Sequence, residues 1–114
     1  MRHNSISILK FVLFIFYLNH ILACVFYLIG DLEFQAGRRS WLEFDNLYTS
    51  GPSLSYLHAF YWSLMTITTI GYGDIHPVSP PGRLFGLLAM MIGATVFAYG
   101  VTNVLEMVSA MNQQ

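Results

Sequence analysis

Two stretches without a single Asp, Glu, Lys or Arg dominate this chain, one from Phe11 to Gly30 and one from Leu84 to Leu105. A helix of about 20 residues rises about 30 Å, the thickness of the hydrocarbon core of a bilayer. Each stretch is therefore long enough to cross, and two membrane helices are the default reading. The composition agrees: of 114 residues, 55% are hydrophobic and only 10% charged, against about 25% charged in soluble domains. The first stretch outruns the apolar core of a signal peptide, about 7–15 residues, and lacks a small-residue cleavage site.

Between the spans lies a third apolar segment, Leu57–Thr68, about three helical turns long and too short to cross. Leu57, Phe60, Tyr61, Leu64 and Met65 recur at three- and four-residue steps, which gives one apolar helical face. The segment leads directly into Gly71 and Gly73. Asp31–Ser55 mixes charges with Gly37, Gly51 and Pro52 and reads as an irregular exposed loop, with Trp41 and Tyr48 placed at the headgroup level. His76-Pro77-Val78-Ser79-Pro80-Pro81-Gly82 is a stiff exit turn, and Ser79 or Pro81 starts the last helix.

Several function classes fall away. A net charge of −1 offers nothing to a nucleic acid. No nucleophile–base constellation is present, and Gly71-x-Gly73 lacks the third glycine and the strand context of a nucleotide loop, so no enzyme is expected. The single Cys24 reads as a packing residue. His3, His20, His58 and His76 show no metal-ligand spacing.

The string Thr68-Thr69-Ile70-Gly71-Tyr72-Gly73-Asp74 resembles the selectivity filter of tetrameric potassium channels, with Ile70 at the position of an equally β-branched valine. The resemblance implies an all-α membrane protein: an outer helix (about 6–30), a turret (31–56), a re-entrant pore helix (57–68), a filter (69–74) and an inner helix (81–110), in one pore domain over 1–114. It implies a homotetramer, or a heterotetramer with related subunits, and potassium as permeant ion with no cofactor. Potassium is expected on the carbonyls of Thr69, Ile70, Gly71 and Tyr72, joined by the Thr69 hydroxyl. Gly71 and Gly73 allow the positive φ that lets carbonyls point the same way. By the same resemblance Thr68, Tyr61, Trp62 and Asp74 support the filter, with Trp62 near the Tyr72 hydroxyl and a Tyr61–Asp74 hydrogen bond.

Further residues narrow the resemblance. His20-x-x-x-Cys24, Ser40-Trp41, Phe60-Tyr61-Trp62-Ser63 and Met91-Ile92-Gly93-Ala94-Thr95 with Phe97-Ala98 are similar to the cyclic-nucleotide-binding-domain channel superfamily, the voltage-gated-like and hyperpolarisation-activated group. Asp74 and the Thr68-Thr69 pair depart from its weakly selective members and favour a potassium-selective pore. The alternatives are a weakly selective cation channel of the hyperpolarisation-activated or cyclic-nucleotide-gated kind, and a non-conducting channel subunit. No Arg-repeat voltage-sensing helix and no nucleotide-binding domain is present. The expectation is a pore excised from a longer channel rather than a minimal two-span one.

On the last helix, Ala94, Ala98, Val101, Leu105 and Val108 share a stripe expected to line the cavity, with Val101 and Leu105 as an apolar gate. Gly93, of the heptad-spaced set Gly86, Gly93 and Gly100, is either a hinge or a site of close helix packing. Glu106 concentrates cations at the inner mouth or marks the membrane exit. Asn19 and His20 within the first span are either a buried hydrogen bond that fixes packing or a proton-sensitive switch. Arg2, His3 and Lys10 put both termini on the cytoplasmic side of a plasma membrane.

Overall fold

The computed structural model describes the backbone of residues 2–112 and side chains from Ile6 to Asn112; the Arg2 and His3 side chains and Gln113-Gln114 lie outside the described residues. Three α-helices form, α1 (Arg2–Gln35), α2 (Pro52–Ile67) and α3 (Pro80–Asn112), with a 3-10 segment (Trp41–Asn46) between the first two. No strand occurs among the described residues.

Helix ends follow local chemistry. α1 runs five residues beyond Gly30 and stops at Gly37, whose φ of 74° suits a helix terminator. The N–H of Arg38 closes that end on the Glu33 carbonyl at 2.9 Å. Ser40 opens the 3-10 segment with a reciprocal cap: its Oγ accepts from Leu42 N, and its own N–H donates to Glu43 Oε1 at 3.0 Å. α2 starts at Pro52, five residues before the apolar periodicity does, because proline suits a first turn that needs no N–H donor. Ser79 precedes α3 and accepts from Gly82 N at 3.1 Å.

α1 and α3 lie antiparallel. Phe11 packs on Tyr99 with ring centroids 5.6 Å apart, and Ser7 shares a cleft with Asn103 and Glu106. The start of α1 and the end of α3 therefore sit at the same end of the molecule. At the opposite end Tyr48 stacks on Phe34 at 3.8 Å. From there α2 descends until Ile67 meets Gly93, and residues 68–79 return to the start of α3, where Pro77 packs on Gly82.

An aromatic stack holds the upper half together. The Phe26 ring lies between Trp41 at 4.5 Å and Trp62 at 3.9 Å, nearly parallel to both, and Trp62 tilts towards Phe85 at 6.0 Å. Trp41 is buried, and its indole N–H donates to the Phe26 carbonyl at 2.9 Å. Gly30 makes the room, since a Cβ there would run into the indole. Below the stack, buried Asn19 accepts from the Ser63 hydroxyl at 2.8 Å and donates to the Ile15 carbonyl, the packing alternative raised for that residue.

α3 packs through small residues. Gly82, Gly86, Ala89 and Gly93 form its buried face, which brings backbones close as membrane helix interfaces do. A Cβ on Gly93 would stand 2.6 Å from the Ile67 Cα, and one on Gly100 2.7 Å from the Phe11 ring. The outer surfaces are apolar and uncovered. In the most apolar windows of α1 and α3 only 22% and 17% of residues are buried, whereas a core helix of a water-soluble domain is covered on most sides.

Candidate ion-conducting loop

The loop after α2 begins under tight control from the helix that precedes it. Thr68 N donates to Leu64 O at 3.0 Å and the Thr68 hydroxyl to the same carbonyl at 2.6 Å. Thr69 N reaches Thr66 O, and Gly71 N reaches back to Met65 O at 3.0 Å. These bonds use the last carbonyls of α2 and fix the direction in which the chain leaves it.

Backbone signs then alternate. Thr69, Gly71 and Gly73 have φ of 64°, 64° and 81°, while Ile70 and Tyr72 between them stay at negative φ. Alternation of left- and right-handed residues turns successive peptide planes the same way, with N–H groups on one side and carbonyls on the other. A Cβ on Gly71 would meet nothing within 4 Å, and one on Gly73 only the Gly71 carbonyl at 3.9 Å. Space is therefore not what these glycines supply; they supply φ.

Thr69 is the residue that sequence reasoning missed in this role. A β-branched side chain at positive φ is an outlier, a strain of about 1–3 kcal/mol.

Supporting contacts divide unevenly. Tyr61 and Tyr72 lie parallel, 4° apart in plane with centroids at 6.4 Å, and the Tyr61 hydroxyl donates to Asp74 Oδ2 at 3.0 Å. Partial burial, then the bond to Asp74 and its charge, hold the Tyr61 hydroxyl above its ordinary pKa, so it stays a donor. Trp62 sits in the Phe26 stack. Ile75, almost fully buried, pins the loop where it leaves Asp74. Two clefts flank Asp74, one of about 300 Å³ reaching Arg39, Glu43 and His76, the other of about 280 Å³ reaching His58 and Tyr61. Ile70 and Tyr72 are 57% and 72% exposed.

α3 presents two faces. Gly93 belongs to the buried one, and the helix runs unbroken through it. Ala94, Ala98, Val101, Leu105 and Val108 are all exposed on the other. Asn103 and Glu106 turn towards α1, where they share a cleft with Ser7 and Ile8.

The family model described as "Ion channel" matches residues 5–110. The chain belongs to the ion channel family. Relatives of this ion channel chain carry the name potassium channel. KAT3 of Oryza sativa subsp. japonica is 35% identical over 91 residues, 78% of this chain and 18% of that protein. AKT1 of Arabidopsis thaliana is 31% identical over 91 residues, 78% of this chain and 10% of that protein. The voltage-gated potassium channel Kch of Escherichia coli (strain K12) is 48% identical over 50 residues, 44% of this chain and 12% of that protein. The chain thus spans less than a fifth of the length of these relatives. Family and uncovered apolar helices together make it a membrane protein, and its family is one of ion channels, not of enzymes.

Proposed function

We propose that four copies of this chain surround one axis and form a pore that conducts potassium passively and selectively across a membrane. The observation that carries this reading is the alternating φ at Thr69, Gly71 and Gly73. Four such loops offer stacked rings of oxygen from Thr69, Ile70, Gly71 and Tyr72, with the Thr69 hydroxyl below, to replace the water around a dehydrated ion. The names of the relatives point to the same ion.

The rest of the chain suits that role. Irregular backbone at membrane depth requires protein or a wet cavity around it, so α2 is a re-entrant pore helix and the exposed Ile70 and Tyr72 are covered by neighbouring copies. The C-terminal end of each α2 carries about half a negative charge and faces the ion. Thr68, Tyr61 and Asp74 brace the loop from behind, and Trp62 anchors α2 to α1. The uncovered stripe of Ala98, Val101 and Leu105 lines the inner passage, an apolar ring that closes by dewetting, while Gly93 sets the distance of α3 from α2. The ends of α1 and α3 that lie together face the cytoplasm, with Lys10 as the basic flank, and the membrane is the plasma membrane. Potassium is the only ligand the reading needs; no cofactor enters it. The short coverage of the relatives fits a pore that works beside voltage-sensing and regulatory domains of a longer protein.

The test is reconstitution in planar bilayers under opposed potassium and sodium gradients. A reversal potential close to that of potassium is the expected result. Gly73→Ala, which forces a side chain into positive φ, should abolish or de-select the current while the assembly keeps its mass. A native reversal near zero would instead indicate a weakly selective cation channel, and absence of current a non-conducting subunit.

A further inference from the structure

Where the start of α1 meets the end of α3, two clefts adjoin and carry opposite charges. The larger, about 340 Å³, holds Lys10 among Phe11, Phe14 and Tyr99. The smaller, about 50 Å³, holds Glu106. Ser7 and Asn103 line both and form the wall between them. Helical spacing builds the two sides. Ser7, Lys10 and Phe14 stand at three- and four-residue steps on α1, and Tyr99, Asn103 and Glu106 at four- and three-residue steps on α3.

We propose that this double cleft seats one zwitterionic lipid headgroup, that of phosphatidylethanolamine, with its phosphate on Lys10 and its ammonium on Glu106. Depth is the first argument. Lys10 is the last charge before the uncharged run Phe11–Gly30, and Glu106 the first after the run Leu84–Leu105. Both therefore stand at one boundary of the hydrocarbon layer, where lipid headgroups lie. Charge is the second. Lys10 and Glu106 are exposed and line different clefts, and no ion pair is formed among the described residues. Opposite charges held apart across a shared wall match a ligand whose own phosphate and ammonium are held apart by two carbons. An anionic lipid would instead bring its phosphate beside a carboxylate with no cation to offer it.

Size is the third argument. The Glu106 cleft suits a group not much larger than a water molecule, whose share of liquid volume is about 30 Å³. A primary ammonium is of that size and brings three N–H donors. The trimethylammonium of phosphatidylcholine is larger and has no N–H for the carboxylate. On the shared wall, the half-buried Asn103 amide has no hydrogen-bond partner among the described residues, whereas Thr95 and Thr102 of the same helix spend their hydroxyls on carbonyls four residues back. An amide can donate to the phosphate and accept from the ammonium. Beside Lys10, Phe14 is 50% and Tyr99 61% exposed, a ring for the first acyl carbons and an amphipathic ring of the kind that sits at headgroup level. The site rests on the chain being a membrane protein, not on the conduction reading.

Native mass spectrometry of the detergent-purified chain counts bound lipid while dioleoyl-phosphatidylethanolamine, dioleoyl-phosphatidylcholine or dioleoyl-phosphatidylglycerol is titrated in. The expected result is one phosphatidylethanolamine per chain, held about 10-fold more tightly than either other lipid, the scale of one hydrogen bond to a charged group. Lys10→Gln should weaken it about 10-fold, and Glu106→Gln should erase its preference over phosphatidylcholine. Lys10→Arg and Glu106→Asp keep the charges and should keep the preference. Helical circular dichroism and elution position show which variants fold. Equal binding of the three lipids by the native chain overturns the proposal. Tighter binding of phosphatidylglycerol does so too, since it reduces Lys10 to an ordinary basic flank, and so does a preference that survives in folded Glu106→Gln.

Discussion

The two halves of this molecule are held by different physics. The half around the end of α1 is bound by side chains: Phe26 between Trp41 and Trp62, the capped 3-10 segment, the Asn19–Ser63 bond, and Tyr61 on Asp74. The half around the end of α3 is held mainly by small residues that let helices approach, with Gly93 against Ile67 and Gly100 against Phe11, beside an aromatic pair, Phe11 on Tyr99. Directional contacts suit a region that must keep a strained loop in one geometry. Glycine contacts let two helices approach closely without directional bonds between them. On the proposed reading, aromatic and hydrogen-bonded support suits a filter that keeps one geometry, and close glycine contacts suit an apolar passage that changes width.

The comparison breaks first at Phe26. Removing its ring leaves Trp41 and Trp62 facing a cavity, and Phe26→Ala should cost about 3–5 kcal/mol of stability. Denaturant titration of the detergent-solubilised protein is the measurement. A loss below about 1 kcal/mol would mean that the stack is not what holds the upper half.

In the lower half the expected effects are smaller and depend on the face. A Cβ on Gly93 meets backbone at Ile67, which cannot swing aside, so Gly93→Ala should cost about 1–3 kcal/mol through overpacking. Leu105→Asn lies on the exposed face and should leave stability within about 0.5 kcal/mol. It should raise resting conductance by wetting the proposed constriction. Single-channel recording beside thermal unfolding separates the two, and the reverse pattern would mean that the faces of α3 have been exchanged.

The smallest effect sharpens the picture of the filter. Tyr61→Phe deletes one exposed hydrogen bond and should shorten the time for which current is sustained without changing selectivity. Because the folded pKa of Tyr61 is raised, its contribution is present below the ordinary tyrosine value of about 10. It is lost only as pH rises through the raised folded value. The difference between wild type and Tyr61→Phe should therefore be flat from about pH 6 to 9; a difference that vanishes within that range would refute the bond.

Much of this was legible in the residues themselves, and the reason is locality. The spans are runs of uncharged residues whose lengths match a bilayer, and Gly71 and Gly73 announce positive φ because no other residue adopts it so cheaply. The Tyr61–Asp74 bond, which joins residues thirteen positions apart, followed from the resemblance and is present at 3.0 Å. Helix ends were less visible. Pro52 extends α2 backwards by five residues and Gly37, not Gly30, stops α1, since a glycine inside an apolar run looks the same whether it ends a helix or makes room for a neighbour.

What the sequence determined alone is therefore what each segment does within a few residues of itself: two long apolar helices, a short helix between them, and a loop that needs glycine. Tertiary structure decided which side chains meet across the chain. Trp41 lies fifteen residues from Phe26, and Tyr56 thirty-six from His20; neither pairing leaves a periodic or compositional trace. Nor does any propensity place a threonine at positive φ, which runs against its preference. Only α2 below, the Tyr61–Tyr72 stack and Asp74 beyond, acting on one loop together, hold Thr69 where its own chemistry would not put it.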